Sequence, residues 1–226
     1  MTHHLTIDFV SDVSCPWCAI GLGALEQALA RVAPDISADL HFHPFELNPH
    51  MPAGGQNITE HLHQKYGSSP EQQAQVREAI RARGEAVGFM FRQEGRSRIY
   101  NTFDAHRLLY WAGLPPTPSA GSGIDNPQLK LKKTLLRAYF TLGLSPESHE
   151  VLLQAVGEVG LNVEAARTVL QSGAYADEVS NSEKSYARAG ISSVPAVIVN
   201  QRHLISGGQP ADVFEQALRQ IAAGQV

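Results

Sequence analysis

Ser14-Cys15-Pro16-Trp17-Cys18-Ala19-Ile20-Gly21 holds the only two cysteines of this 226-residue chain and lies where one hydrophobic periodicity replaces another. Upstream, Leu5, Ile7 and Phe9 alternate with Thr6 and Asp8 and run into Val10, the period-two pattern of a strand. Downstream, Leu22, Leu25, Ala28, Leu29 and Val32 recur at helical spacing until Pro34 stops the pattern. The stretch therefore predicts a strand-to-helix turn with Cys15 at the helix start. Unpaired N–H groups and the positive end of the helix dipole favour a thiolate there, so a lowered Cys15 pKa is expected. Pro16 suits the first helical turn, where its missing N–H costs nothing. Cys18 follows one turn on, within reach of Cys15. The expected chemistry is thiol-disulfide exchange, with an exposed Cys15 as nucleophile and Cys18 as resolving thiol. Pro16 stiffens the loop, and Trp17, facing outward, is the expected aromatic contact for a substrate.

Composition bounds the alternatives. With 43% hydrophobic residues the chain can bury a substantial core as one domain or as one domain carrying an insertion. A net charge of -4 with scattered basic residues offers no patch for nucleic acid or anionic lipid. Met1-Thr2-His3-His4 runs almost directly into the first strand, without a basic-then-apolar signal segment, and no later apolar run is long enough to span a bilayer. A cytoplasmic location is the expectation. Two cysteines three apart in a reducing compartment close too short a loop to act as a structural staple, so their value is chemical. Half a zinc site is the competing reading of Cys-x-x-Cys; His41 and His43, on one side of the next strand, are its nearest further ligands. The lack of a second tightly spaced ligand pair and the strand-to-helix placement favour redox chemistry, with no metal.

Asp39 to Phe45 alternates again, giving a second strand and a compact βαβ unit. Glu46 to Gly55 breaks regular structure. From Thr59 to about Gly173 the pattern is helical. Thr59 is the expected cap of a short helix to Tyr66, and Ser69-Pro70-Glu71-Gln72 reads as a capping box opening a helix with Val76, Ile80 and Val87 as its apolar positions. Asn101-Thr102 caps the next, and Leu114 to Pro127 reads as an exposed loop. Three further helices follow over 129–142, 146–159 and 163–171. Another from Tyr175 to Ala189 leads back to strands at Ala196–Val199 and His203–Ser206, joined by a turn at Gln201-Arg202, and a last helix follows Pro210. The predicted fold class is α/β: residues 1–50 and 174–226 form a discontinuous sheet domain, and 51–173 an inserted all-helical domain.

Val194-Pro195 directly precedes the third strand of this sheet, where proline cannot donate to a ladder. A cis bond opposite the cysteines is the expectation, exposing the Val194 backbone to an extended substrate strand.

Five segments in this order resemble the DsbA family of thioredoxin-fold oxidoreductases, and most closely its cytoplasmic FrnE-like branch. They are Ser11 to Gly21, Pro44-Phe45-Glu46-Leu47-Asn48-Pro49, Asn101 to Leu108, Val194-Pro195, and Ser206-Gly207-Gly208-Gln209-Pro210. The resemblance implies a thioredoxin-like fold with a large inserted helical domain, Cys15 as nucleophile paired with Cys18, and a cis Pro195. The substrate would be a disulfide- or thiol-containing protein or small molecule, with no cofactor beyond the redox-active cysteine pair and with glutathione as a possible co-substrate. Pro16-Trp17 replaces the Pro-His of strongly oxidising members and predicts a less oxidising couple. Asn101, His106, Arg107, Glu46 and Asn48 are open to two readings: capped helix and surface pairing, or the lining of a cleft above Cys15. Two other functions compete. One is a glutathione-dependent isomerase or transferase of the kappa-class and chromene-carboxylate isomerase type, against which the second thiol counts. The other is a redox-controlled chaperone or zinc-holding module that catalyses nothing.

Overall fold

The computed structural model describes residues 2–114 and 126–225. Strand β1 (His3–Ser11) leads into helix α1 (Pro16–Val32), which returns to β2 (Ile36–Pro44). The chain then leaves the sheet through β3 (Gln56–Asn57), α2 (Ile58–Tyr66), α3 (Pro70–Ala86), β4 (Arg98–Ile99), α4 (Phe103–Ala112), α5 (Pro127–Phe140), α6 (His149–Glu158), α7 (Val163–Ser172) and α8 (Ala176–Arg188). It comes back as β5 (Ala196–Val199), β6 (His203–Ser206) and α9 (Ala211–Ala222). The main sheet has the order β2-β1-β5-β6. Strand β2 runs parallel to β1, with Phe9 opposite Phe42, and the β5-β6 hairpin adds antiparallel, with Phe9 opposite Val197. The parallel pair needs a crossover, which α1 supplies.

Two apolar clusters hold these layers together. The first joins the sheet residues Ile7, Phe9, Leu40 and Val197 to Leu22, Leu25 and Ala28 of α1 and Phe214 and Leu218 of α9, and it contains both cysteines. The second lies among α4, α5, α6 and α7 around Leu108, Leu131, Leu135, Leu152 and Ala166. Helix α5 belongs to both: Leu129, Leu136, Tyr139 and Phe140 face the first cluster, Leu131 and Leu135 the second. Its start is tied to the outer edge of β2. Asn126 Nδ2 donates to the Leu40 carbonyl at 2.8 Å, and the Gln128 side chain accepts from Phe42 N–H and donates to the Phe42 carbonyl, both at 3.0 Å. Two amide side chains thereby satisfy backbone groups that an edge strand otherwise leaves to solvent.

Several local expectations change. The capping box at Ser69 and Gln72 is present, yet α3 buries only Gly84, and Val76 is exposed; the helix lies on the surface against α1. The α2 cap is Asn57, whose side chain accepts from Thr59 and Glu60 N–H. Thr59 falls two residues too late because the β3 bridge fixes where the helix begins. The β5-β6 turn centres on Asn200 and Gln201, both with positive φ, rather than on Gln201-Arg202; Asn tolerates that region best. Residues 115–125 of the expected Leu114–Pro127 loop lie outside the described residues. Among the described residues no helix is long and apolar enough to cross a membrane.

Candidate active site

Cys15 is the N-cap of α1, in extended conformation, and Pro16 opens the helix. Its N–H donates to the Asp12 carbonyl at 3.3 Å, and its own carbonyl accepts from Cys18 N–H at 3.1 Å, which folds the motif into a tight first turn. Both cysteines are free thiols. The expected exposure of Cys15 is not found: only 3% of it is accessible, and Cys18 has none. The covering comes from the far end of the chain. Cys15 Sγ lies 3.5 Å from the Val194 carbonyl oxygen, to which its thiol donates. The Val194-Pro195 bond is cis. Val194 and Pro195 are themselves buried against the α1 start, and it is Ser192 and Ser193 before them that are open to solvent. Trp17 is likewise half-buried rather than outward-facing, because Arg83 of α3 lies over its ring with 5.3 Å from guanidinium carbon to centroid.

Glycines make this close approach possible. A Cβ on Gly21 would meet the Pro195 ring at 3.0 Å and the Gly208 Cα at 3.2 Å, and one on Gly208 would meet the Trp17 carbonyl at 2.8 Å. The segments Ser14 to Gly21, Val194-Pro195 and Ser206 to Pro210 thus converge because two positions carry no side chain.

The two thiols sit in different electrostatic environments. The Cys18 side chain and N–H, acting as donors, pull the Cys15 thiol below its usual value against burial and Asp12, and Arg96 adds to the lowering. Burial pushes the Cys18 thiol well up, and Cys15 adds to that. Arg96, in the loop before β4, donates to the Ser14 carbonyl at 2.6 Å and lies over the rings of Tyr139 and Phe140.

Beneath the motif sits Asp12, wholly buried. Its carboxylate accepts from Ser14 N–H at 3.0 Å, Ser14 hydroxyl at 2.8 Å and Leu47 N–H at 2.8 Å, and His106 Nε2 stands 3.5 Å away. Burial pushes this carboxyl up, but the His106 imidazole and the Leu47 and Ser14 N–H groups together hold it well below the usual carboxylate range. Glu46, one residue before Leu47, behaves oppositely: burial, then the neighbouring Glu183 and Asp12 charges, push its carboxyl up to about 8. Glu183 Oε1 accepts from Glu46 N–H at 2.8 Å. Glu46 also lines an open cavity of about 490 Å³ with Pro49, Met51, Asn101, Phe103 and Glu147.

The residues with two readings now separate. His106 is 2% exposed and faces Asp12. Arg107 pairs with Asp104 at 2.6 Å, yet it is buried, with its other donors on the Ala174 and Val169 carbonyls, so it braces α4 against α7. Asn101 accepts from Phe103 N–H at the start of α4 and also borders the cavity. Asn48 accepts from Lys65 on the surface. His43 pairs with Asp8 at 2.9 Å, and no group of three or more metal-ligating side chains converges among the described residues. Sequence reasoning missed Asp12 and Arg96. The first lay inside a quoted motif without a role, and the second is a single cation in loop sequence with no periodic signal.

A paired-cysteine turn at the first helix of a βαβ unit, faced by the loop before an antiparallel strand, defines the class: a thioredoxin-fold protein. The DSBA-like thioredoxin domain family model matches residues 6–219, and the chain belongs to that family. A probable DsbA oxidoreductase from Streptomyces coelicolor is 32% identical, with 99% of this chain and 92% of that chain covered and a TM-score of 0.85. The cytosolic disulfide reductase DsbM from Pseudomonas aeruginosa, solved with GSH, is similar in fold at 18% identity and TM-score 0.63, covering 96% and 99% of the two chains. A 2-hydroxychromene-2-carboxylate isomerase shares the fold at 13% identity and TM-score 0.68, with 97% of each chain covered.

Proposed function

We propose that this chain is a dithiol-disulfide oxidoreductase of the cytoplasmic FrnE-like branch, acting on protein or small-molecule disulfides through Cys15 and Cys18. The observation that carries the reading is the placement of two free thiols within the first turn of α1, Cys18 N–H donating to the Cys15 carbonyl at 3.1 Å, with the Cys15 sulfur 3.5 Å from the Val194 carbonyl beside Pro195. A thiolate at Cys15 attacks one sulfur of the substrate disulfide, forming a mixed disulfide and releasing the other sulfur as a thiolate that takes a proton from water. Cys18 then loses its proton and attacks the Cys15 sulfur, closing the Cys15–Cys18 disulfide and expelling the second substrate thiol. The reverse sequence oxidises a dithiol. In this reading the exposed Ser192 and Ser193 and the half-buried Trp17 meet the substrate, and the buried Pro16, Val194 and Pro195 support them from behind. In this account no cofactor takes part beyond the cysteine pair, and glutathione, with which the fold relative DsbM was solved, is the proposed electron donor.

The glutathione-dependent isomerase reading draws on the fold it shares with the chromene-carboxylate isomerase. The second thiol argues against it, since isomerisation around bound glutathione has no use for a resolving cysteine. Insulin-disulfide reduction by the wild type, Cys15→Ser and Cys18→Ser tests the choice. Loss of turnover in both variants supports exchange; turnover surviving in Cys15→Ser refutes it, and glutathione-dependent isomerisation surviving in Cys18→Ser supports the second reading.

A further inference from the structure

Lys132 is 1% exposed, among the most deeply buried large side chains of the protein. An ammonium in such a place is costly unless an opposite charge compensates it. It lies on the α5 stripe Leu129, Lys132, Leu136 and Tyr139, three and four residues apart, and the apolar members of that stripe pack into the cluster that contains Cys15 and Cys18. The adjacent Lys133 pairs with Glu26 of α1 at 2.7 Å, which holds α5 alongside the cysteine helix.

The groups facing Lys132 leave few candidates for its partner. The groups whose charge acts on it are Cys18 and Cys15 at the start of α1 and Asp12 in the turn before them, with His106 of α4 beside Asp12. On its own helix Tyr139 is two turns on, engaged by its hydroxyl with the Arg98 carbonyl. The buried faces of β2 and α6 are apolar, through Leu40, Phe42, Leu152 and Val156. Asp12 already accepts three hydrogen bonds and faces His106, whereas the other cation acting on the thiols, Arg96, is only half-buried and comes from the loop side.

Building on the dithiol reading above, we infer that Lys132 is the buried electrostatic partner of the cysteine pair, stabilising the thiolate state and so favouring the reduced dithiol. Lys132 acts through charge and takes no part in bond making. When two electrons from a dithiol reductant break the Cys15–Cys18 bond, one sulfur keeps its negative charge and the other takes a proton. The Lys132 ammonium offsets that charge from the helical side as Arg96 does from the loop side. By reciprocity, the thiolate holds the Lys132 ammonium more firmly than the disulfide does. Burial pulls the ammonium down, and Cys18, Asp12 and Cys15 each oppose that pull.

Lys132→Met keeps the length and apolar stem of the side chain and removes only the charge. Two readouts serve: the thiolate absorbance titration of Cys15, and the disulfide equilibrium against a glutathione buffer, with Lys133→Met as surface control. The account expects Lys132→Met to raise the Cys15 pKa and to shift the equilibrium toward the disulfide by roughly tenfold or more, about 30 mV for a two-electron couple, with the control unchanged. A lysine serving only as packing leaves both readouts at their wild-type values, which overturns the inference. If the variant fails to fold, the wild type decides: isotope-edited NMR of the Lys132 side chain gives a higher pKa in the reduced than in the oxidised protein, and equal values overturn the proposal. A wild type that forms no Cys15–Cys18 disulfide at all overturns the oxidoreductase reading itself, which keeps the two failures apart.

Discussion

The Val194 carbonyl oxygen lies 3.5 Å from the Cys15 sulfur, joining the start of α1 to the segment that leads into β5. This contact depends on Gly21 and Gly208, where an added Cβ would press at 3.0 Å on the Pro195 ring and at 2.8 Å on the Trp17 carbonyl. Gly208→Ala meets backbone, which cannot rotate away, and is expected to cost about 1–3 kcal/mol by forcing the α1 start to shift. Gly21→Ala meets the Pro195 ring at 3.0 Å and the Gly208 Cα at 3.2 Å, looser contacts than 2.8 Å, and costs less. Thermal melts give the order of the two, and disulfide-exchange rates are expected to fall in the same order.

Asp12→Asn is expected to destabilise the protein by about 3 kcal/mol near neutral pH, because a buried carboxylate with three donors is replaced by an amide that matches only some of them. For a chain of this size that is roughly a 6–12 °C fall in melting temperature. The pH sign follows from the lowered carboxyl. Asp12 contributes stability above the ordinary value of 3.8 and loses it as pH falls toward its folded value, so the gap between variant and wild type narrows only in strong acid. Melting curves from neutral pH to below pH 3 test this: the gap stays constant above about 4 and closes progressively below 3.8.

Glu46 has the opposite dependence. Its folded carboxyl is pushed up to about 8 from 4.5, so the fold prefers the protonated form. Its contribution is full below 4.5, is lost progressively as pH rises toward 8, and is constant beyond. Glu46→Gln is therefore expected to gain stability relative to wild type across that window and to show no further gain above it. Denaturant midpoints at several pH values decide; a gap independent of pH contradicts the burial account of Glu46.

Arg96→Met removes a cation that lowers the Cys15 pKa and a donor to the Ser14 carbonyl. The Cys15 titration is expected to move up and the alkylation rate at neutral pH to fall severalfold. Arg96→Lys restores part of the charge effect without the planar stacking on Tyr139 and Phe140.

The residue between Pro16 and Cys18 carries no charge to hold a thiolate, so the couple is expected to be less oxidising than the periplasmic oxidant at about -120 mV. A potential that high in a glutathione titration contradicts this, and Trp17→His is expected to raise the measured value.

The sheet was legible because its signals are local. Ala196–Val199 and His203–Ser206 are short β-rich runs with a proline before the first and an Asn-containing turn between, and their observed bounds coincide with the expected ones. The cysteine turn read well for the same reason: Pro16 and the change of period fix it. Exposure did not read well, because what buries Cys15 and Trp17 arrives from Val194 and from Arg83, far away in sequence. Nor did the charges around the site. Asp12 meets His106 and Leu47, and Lys132 is buried, only once α4 and α5 have packed, and no periodicity records that packing. Strands β3 and β4, two residues each, carry too little pattern to be seen.

Intact-mass analysis of Cys18→Ser mixed with a disulfide substrate tests the central claim most directly. Attack by Cys15 without a resolving thiol leaves the substrate attached, so the account predicts a stable one-to-one adduct on Cys15, absent from Cys15→Ser and transient in the wild type. No adduct on Cys18→Ser, or the same adduct formed through Cys18 in Cys15→Ser, would contradict it.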